Sequence, residues 1–113
     1  MVQAYYTNVG GELRLDVLGH GNLANIEGLD VMCAAVTTLT NTLALNVQSA
    51  AEAKLLDEEP MIYIGDDEEG KARVLCKPCP EHFSILKTIF ATVCNGLLML
   101  SKLYPDYVEF VSE

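Results

Sequence analysis

Met32, Val36, Leu39, Leu43 and Val47 recur at steps of four, three, four and four, which lays one apolar stripe along an α-helix from about Asp30 to about Lys54. A helix with a single apolar stripe needs a second layer to bury it. The flanking sequence supplies strands. Val2 to Tyr6 alternates, Asn8-Val9-Gly10-Gly11 is a turn signal, and Leu13, Leu15 and Val17 are separated by Arg14 and Asp16, so the opening third is a β-hairpin. A second hairpin joins Met61–Ile64 to Ala72–Cys76 through Gly65-Asp66-Asp67-Glu68-Glu69-Gly70. That acidic tip reads as a solvated turn, because it lacks the Asp-x-Asp-x-Asp-Gly spacing of a calcium loop. A second long helix starts near Pro80, a residue suited to the first helical position. It buries Phe83, Leu86, Phe90, Val93, Leu97 and Leu100 and stops at Pro105. Residues 107–111 alternate again. The order ββαββαβ, without repeat or linker, predicts one α+β domain over residues 1–113. Its architecture is a two-layer sandwich, with both long helices on one face of a mainly antiparallel sheet.

Charge narrows the partners. Seven Lys and Arg against sixteen Asp and Glu give a net charge of −9, which excludes a basic nucleic-acid binder and favours a neutral or basic partner. Half of the 113 residues are apolar, enough for one core and one domain. Met1 to Tyr6 lacks the charged start and apolar run of a secretory leader. No apolar stretch approaches the roughly 18 residues of a membrane span, so a cytoplasmic protein is expected. In that compartment Cys33, Cys76, Cys79 and Cys94 are thiols, metal ligands or core residues rather than a disulfide framework.

Of the four, Cys33 is the one placed for chemistry. If Asp30 caps the first helix, Cys33 is its third residue, where unpaired backbone N–H groups and the positive end of the helix dipole favour a thiolate. His20, thirteen residues earlier, sits in a glycine-flanked loop that can fold back over the helix start and bring the imidazole to the sulfur as general base. Gly19, Gly21 and Gly28 permit that approach and let a substrate backbone come near. With few apolar anchors, the loop from Gly19 to Gly28 is expected to order only when a peptide binds. The competing reading is packing: cysteine is among the most buried residue types, and Met32, Ala34, Ala35 and Val36 suit a core position. Asp30 likewise has two possible tasks, capping the helix or holding the tautomer of His20.

Other constellations carry less. Cys76-Lys77-Pro78-Cys79 is a Cys-x-x-Cys between a strand and a helix, but one helix and one strand are too few to complete a thioredoxin-like fold after it. With His82 it offers three zinc ligands where a structural site needs four. It reads best as a strand end followed by helix-capping residues. Cys94, one position off the stripe of the second helix, is a buried thiol. Gly19 and Gly21 do not extend to Gly-x-Gly-x-x-Gly because residue 24 is Ala24, and no phosphate loop appears elsewhere. No cofactor or metal is called for.

Gly19-His20-Gly21, followed by Gly28-Leu29-Asp30-Val31-Met32-Cys33-Ala34-Ala35-Val36-Thr37-Thr38-Leu39, resembles the signature of the ribosomal-processing cysteine proteases, the Prp family. That family has Gly-His-Ala, a loop, and Gly-x-Asp-Ile-Val-Cys-Ala-Ala-Val-Ser-x-Leu. Gly96 to Val108 resembles its Gly-Leu helix ending in Tyr-Pro and a closing strand. The resemblance implies a cytoplasmic, homodimeric cysteine endopeptidase that removes a short N-terminal extension from large-subunit ribosomal protein twenty-seven. It puts the catalytic cysteine, histidine and aspartate on Cys33, His20 and Asp30. Gly21 for alanine, Thr37 for serine and Val31-Met32 for Ile-Val depart from the pattern without removing a catalytic group. The alternative is a ribosome-associated or assembly protein that keeps the fold without the activity.

Overall fold

The computed structural model describes residues 1–19, 30–65 and 70–113, with Asp30 as backbone only. The elements follow the expected order: β1 (Val2–Val9), β2 (Glu12–Leu18), α1 (Asp30–Glu52), β3 (Met61–Ile64), β4 (Ala72–Cys76), α2 (Phe83–Leu103) and β5 (Val108–Ser112). The first hairpin is tighter than its four-residue turn signal. Val9 pairs with Glu12, leaving Gly10 and Gly11 as a two-residue turn with φ of +61° and +81°. Two successive positive φ values match the twist of the flanking strands and suit glycine at both positions.

The five strands lie in the order β3-β4-β2-β1-β5. Three pairings are antiparallel, and β5 joins β1 in parallel, as a strand must when a helix carries the chain back along the sheet. Register decides the faces. Ala4 pairs with Val17, Leu15 with Val74, Leu13 with Cys76 and Val2 with Val108. All of these are buried in one core with Met32, Val36, Leu43 and Val47 of α1 and Leu86, Phe90, Val93 and Leu97 of α2. Both helices therefore cover one face. The other face carries Arg14, Asp16 and Arg73, where the Nε atoms of Arg14 and Arg73 donate to the two oxygens of Asp16 at 2.7 and 2.6 Å.

Both helix ends differ slightly from expectation, for local reasons. α1 stops at Glu52 rather than Lys54 because Lys54 takes φ +62°. Its N–H then bonds the Ala51 carbonyl, and that of Leu55 bonds Ala50. This is a Schellman closure with lysine where glycine is usual. At α2, Pro80–His82 forms a separate 3-10 turn and the α-helix begins at Phe83, because His82 at φ −113° and ψ 5° interrupts the helical dihedrals. The expectation of no membrane-length segment also needs correction. By length and mean hydropathy, Pro80–Leu103 is long and apolar enough to cross a membrane. In this fold one face of it packs Leu86, Phe90, Val93, Cys94 and Leu97 inward, while Ile85, Leu98, Met99 and Leu103 are exposed.

Candidate functional site

α1 begins at Asp30, so Cys33 is its fourth residue rather than its third; three residues of helical rise put it about 4.5 Å from the start. The thiol is half-buried and packs against the core. Its direction follows from the helix geometry. Leu39 faces α2, since a Cβ built on Gly96 of α2 would meet Leu39 Cδ2 at 2.8 Å. At about 100° per residue, Cys33 lies roughly 120° around α1 from Leu39, with the buried Val36 and Leu43 between them. Cys33 thus occupies the flank of α1 turned away from α2.

The end of the sandwich on which Cys33 sits is also settled. Just past the C-terminus of α1, Leu56 bridges Pro78 and Cys79 N–H donates to the Leu55 carbonyl, so α1 finishes beside the end of β4. Cys76 there pairs with Leu13, near the beginning of β2. A helix of 23 residues is about 34 Å long, so its start lies at the opposite end of the sheet, where β2 finishes at Leu18. Gly19 follows with φ +88°, and a Cβ there would stand 2.5 Å from the Met1 carbonyl oxygen. Both facts require glycine for the path of the chain. His20, Gly21, Gly28, the expected ordering of their loop on peptide binding, the tip residues 66–69 and the Asp30 side chain lie outside the described residues.

The other cysteines separate cleanly. Burial pushes the Cys94 thiol up to about 12, and burial, with Glu12 nearby, pushes Cys76 up to about 11. Cys79 is raised through its hydrogen bond with Asp57 and its proximity to Asp57 and Glu81. It precedes the 3-10 turn without capping it through its side chain; its carbonyl accepts from the His82 N–H instead. All four cysteines are thiols, and among the described residues no three His, Cys, Asp or Glu side chains gather as a metal site would need. Tyr6 packs on Phe90 at 6.0 Å, its Oη buried without a partner among the described residues. Burial and the neighbouring Cys94 and Cys76 raise its pKa.

These shifts have a sign. Folding holds Cys76 and Cys94 protonated, so their contribution to stability is whole below the ordinary thiol value of 9.0 and is lost as pH rises toward 11 to 12. Iodoacetamide at pH 8 is expected to leave both unmodified in the native protein and to label both in denaturant. The unfolding midpoint is expected to fall between pH 9 and 12, and less so in Cys94→Ala. Native labelling of Cys94 at the rate of an exposed thiol would contradict this placement.

Sequence reasoning missed the outer-face features beside this end of the sheet. A cavity of about 460 Å³ lies there, lined by Asp16, Leu18, Met61, Tyr63, Lys71 and Arg73 among others. Alternation with Leu15 and Val17 does put Asp16 and Leu18 on the face opposite the core. Their meeting with Arg73 and Tyr63 needs the register of three strands, β2, β4 and β3.

A thiol in the first turn of a long helix, at the end of the sheet where β2 finishes and the chain runs on toward His20, is an arrangement suited to a thiol-dependent hydrolase. The chain matches the family model of the cysteine protease Prp over residues 1–109 and belongs to that family. No curated protein sequence matches it significantly. Its fold is similar to that of SMU.848 from Streptococcus mutans, with 22% identity, TM-score 0.69, and 100% of this chain and 96% of that one covered. It is also similar to an essential ribosomal processing protease Prp from S. aureus in complex with a substrate peptide, with 18% identity, TM-score 0.67 and both chains covered in full. The same S. aureus protease with a covalently linked product peptide gives 17% identity and TM-score 0.63, again with full coverage of both chains.

Proposed function

We propose that this cysteine protease removes the N-terminal extension of large-subunit ribosomal protein twenty-seven, with Cys33 as nucleophile and His20 as general base. The observation that carries the reading is the position of Cys33 in the first turn of α1, at the end of the sheet where β2 leads into Gly19-His20. His20 takes the thiol proton, and the sulfur attacks the peptide carbonyl. His20 then protonates the departing amine, leaving a thioester that water hydrolyses back to the thiol and a carboxylate. N–H groups at the start of α1 are the candidates to hold the developing oxyanion. Asp30 precedes Cys33 by three positions in the sequence, a spacing that in a helix brings two residues to one face. A bare carboxylate there opposes a thiolate; one paired with imidazolium does not, and this favours Asp30 as the residue that orients His20.

The wider reading is a cytoplasmic homodimer acting on a basic ribosomal partner without a cofactor, nucleic acid or membrane. The net charge of −9 suits such a partner, and the exposed Ile85, Met99 and Leu103 of α2 offer apolar surface to a second copy. Purified protein mixed with a synthetic peptide covering the extension and the first mature residues is expected to yield two fragments, identified by mass spectrometry. An uncut peptide between pH 6 and 9 would favour the non-catalytic ribosome-associated alternative.

A further inference from the structure

The two edges of the sheet are unlike. β5, at one edge, carries Glu109 within it and ends beside Glu113, the kind of charge that protects an edge from pairing. β3, at the other, reads Met-Ile-Tyr-Ile, with no charge or proline to block an added strand. Its hydrogen-bond phase follows from one contact. Gly65 N–H donates to the Lys71 carbonyl at 2.9 Å, so along the antiparallel ladder the bonded pairs are Tyr63 with Arg73 and Met61 with Leu75. The N–H and C=O groups of Ile62 and Ile64 therefore point away from β4, along an edge that no other strand covers among the described residues.

That edge is the one nearest the nucleophile. α1 packs on β4 whereas α2 packs on β2 and β5, so the flank of α1 turned away from α2, which bears Cys33, is on the β3 side of the sheet. Ile64 is at the end of β3 that pairs with Ala72, and Ala72 pairs in turn with Val17 at the close of β2. Tyr63 is 51% exposed on the outer face, and its ring reaches along the strand over Gly65, where a Cβ would stand 2.8 Å from the hydroxyl. It forms one wall of the cavity of about 460 Å³ whose opposite side includes Leu18, two residues and at most about 7 Å of chain from His20.

We infer that the peptide substrate binds as an additional antiparallel or parallel strand on β3, held by the backbone of Ile62 and Ile64, and that the cavity beside Tyr63 receives one of its apolar side chains. The inference rests on the peptidase reading above. Main-chain bonds give such binding its affinity and alternate side chains its selectivity. A cationic peptide is the favoured occupant over a second copy. β3 runs into the sequence Asp66-Asp67-Glu68-Glu69, which attracts a cationic chain and repels another copy of this protein at net charge −9.

The test is amide hydrogen exchange on the full-length Cys33→Ala protein, with and without the extended peptide, alongside turnover by wild type and Ile62→Pro. Proline at 62 removes an outward N–H and trims a side chain that packs against the core, and it leaves the hydrogen bonds of the β3–β4 ladder in place. Thermal melting checks that it does. The expected result is at least tenfold slower exchange at Ile62 and Ile64 on adding peptide, little change at Tyr63, and at least a tenfold rise in KM for folded Ile62→Pro. Cleavage by wild type with unchanged exchange at Ile62 and Ile64 overturns the inference and leaves the peptidase reading intact. Peptide neither bound nor cut overturns both. Protection that appears without peptide and grows with protein concentration assigns the edge to a second copy and overturns the inference.

Discussion

Cys33→Ser is expected to abolish cleavage of the extended ribosomal peptide, lowering turnover by roughly 10⁴- to 10⁶-fold while the protein stays folded and still binds the peptide. The hydroxyl keeps the size of the thiol and loses the nucleophile. His20→Ala is expected to fall as far, and the double variant no further, because residues that act as one unit do not add. Alkylation separates mechanism from packing. Native Cys33 should react with iodoacetamide faster than Cys94, and the rate should drop as pH falls through the thiol pKa and again in His20→Ala. If Cys33 were only a packing residue, the serine variant would instead lose about 1 to 3 kcal/mol of stability for a buried hydroxyl, and the native thiol would resist alkylation as Cys94 does. That pattern would remove Cys33 from the mechanism, and the assignment of His20 as its base would go with it.

The largest effect on stability is expected at Phe90. It is fully buried in α2, with its ring against Tyr6 of β1 and its neighbours Leu86, Val93 and Leu97 on the same buried stripe. Phe90→Ala removes a large ring from between the two layers. With strands below it and a helix backbone around it, the site has little freedom to collapse, so a cost of about 3 to 5 kcal/mol is expected. For a domain of this size that lowers Tm by at least about 12 °C. Urea or thermal unfolding followed by circular dichroism measures it. A cost under 1 kcal/mol would mean that Phe90 is not at the centre of the core. Cys33, the proposed nucleophile, is on the other helix, so whatever fraction remains folded is expected to retain its turnover.

Periodicity settled most of the architecture in advance. Met32, Val36, Leu43 and Val47 are buried in α1, and Leu86, Phe90, Val93 and Leu97 in α2, as the steps of three and four require. Leu13, Leu15 and Val17 are buried while Arg14 and Asp16 face the other side. These choices are local, because burying a stripe or alternate residues is a one-dimensional property of the chain. The boundaries were less legible, since single residues fix them through their dihedrals: Lys54 ends α1 by turning to positive φ, and His82 delays α2.

At the site, the sequence by itself determined that a cysteine lies in the first turn of a helix, downstream of a histidine flanked by glycines; a helix start and a loop are both local. Only the tertiary structure decided which side of α1 the thiol occupies, that β3 is an edge, and that its Ile62 and Ile64 backbone groups face outward. Each of these depends on strand order and register. The pairing of Asp16 with Arg73, 57 positions apart, shows why: side chains on the outer face meet through hydrogen bonds between distant strands. A residue's own neighbours dictate its face of the sheet, but not which strand lies beside it.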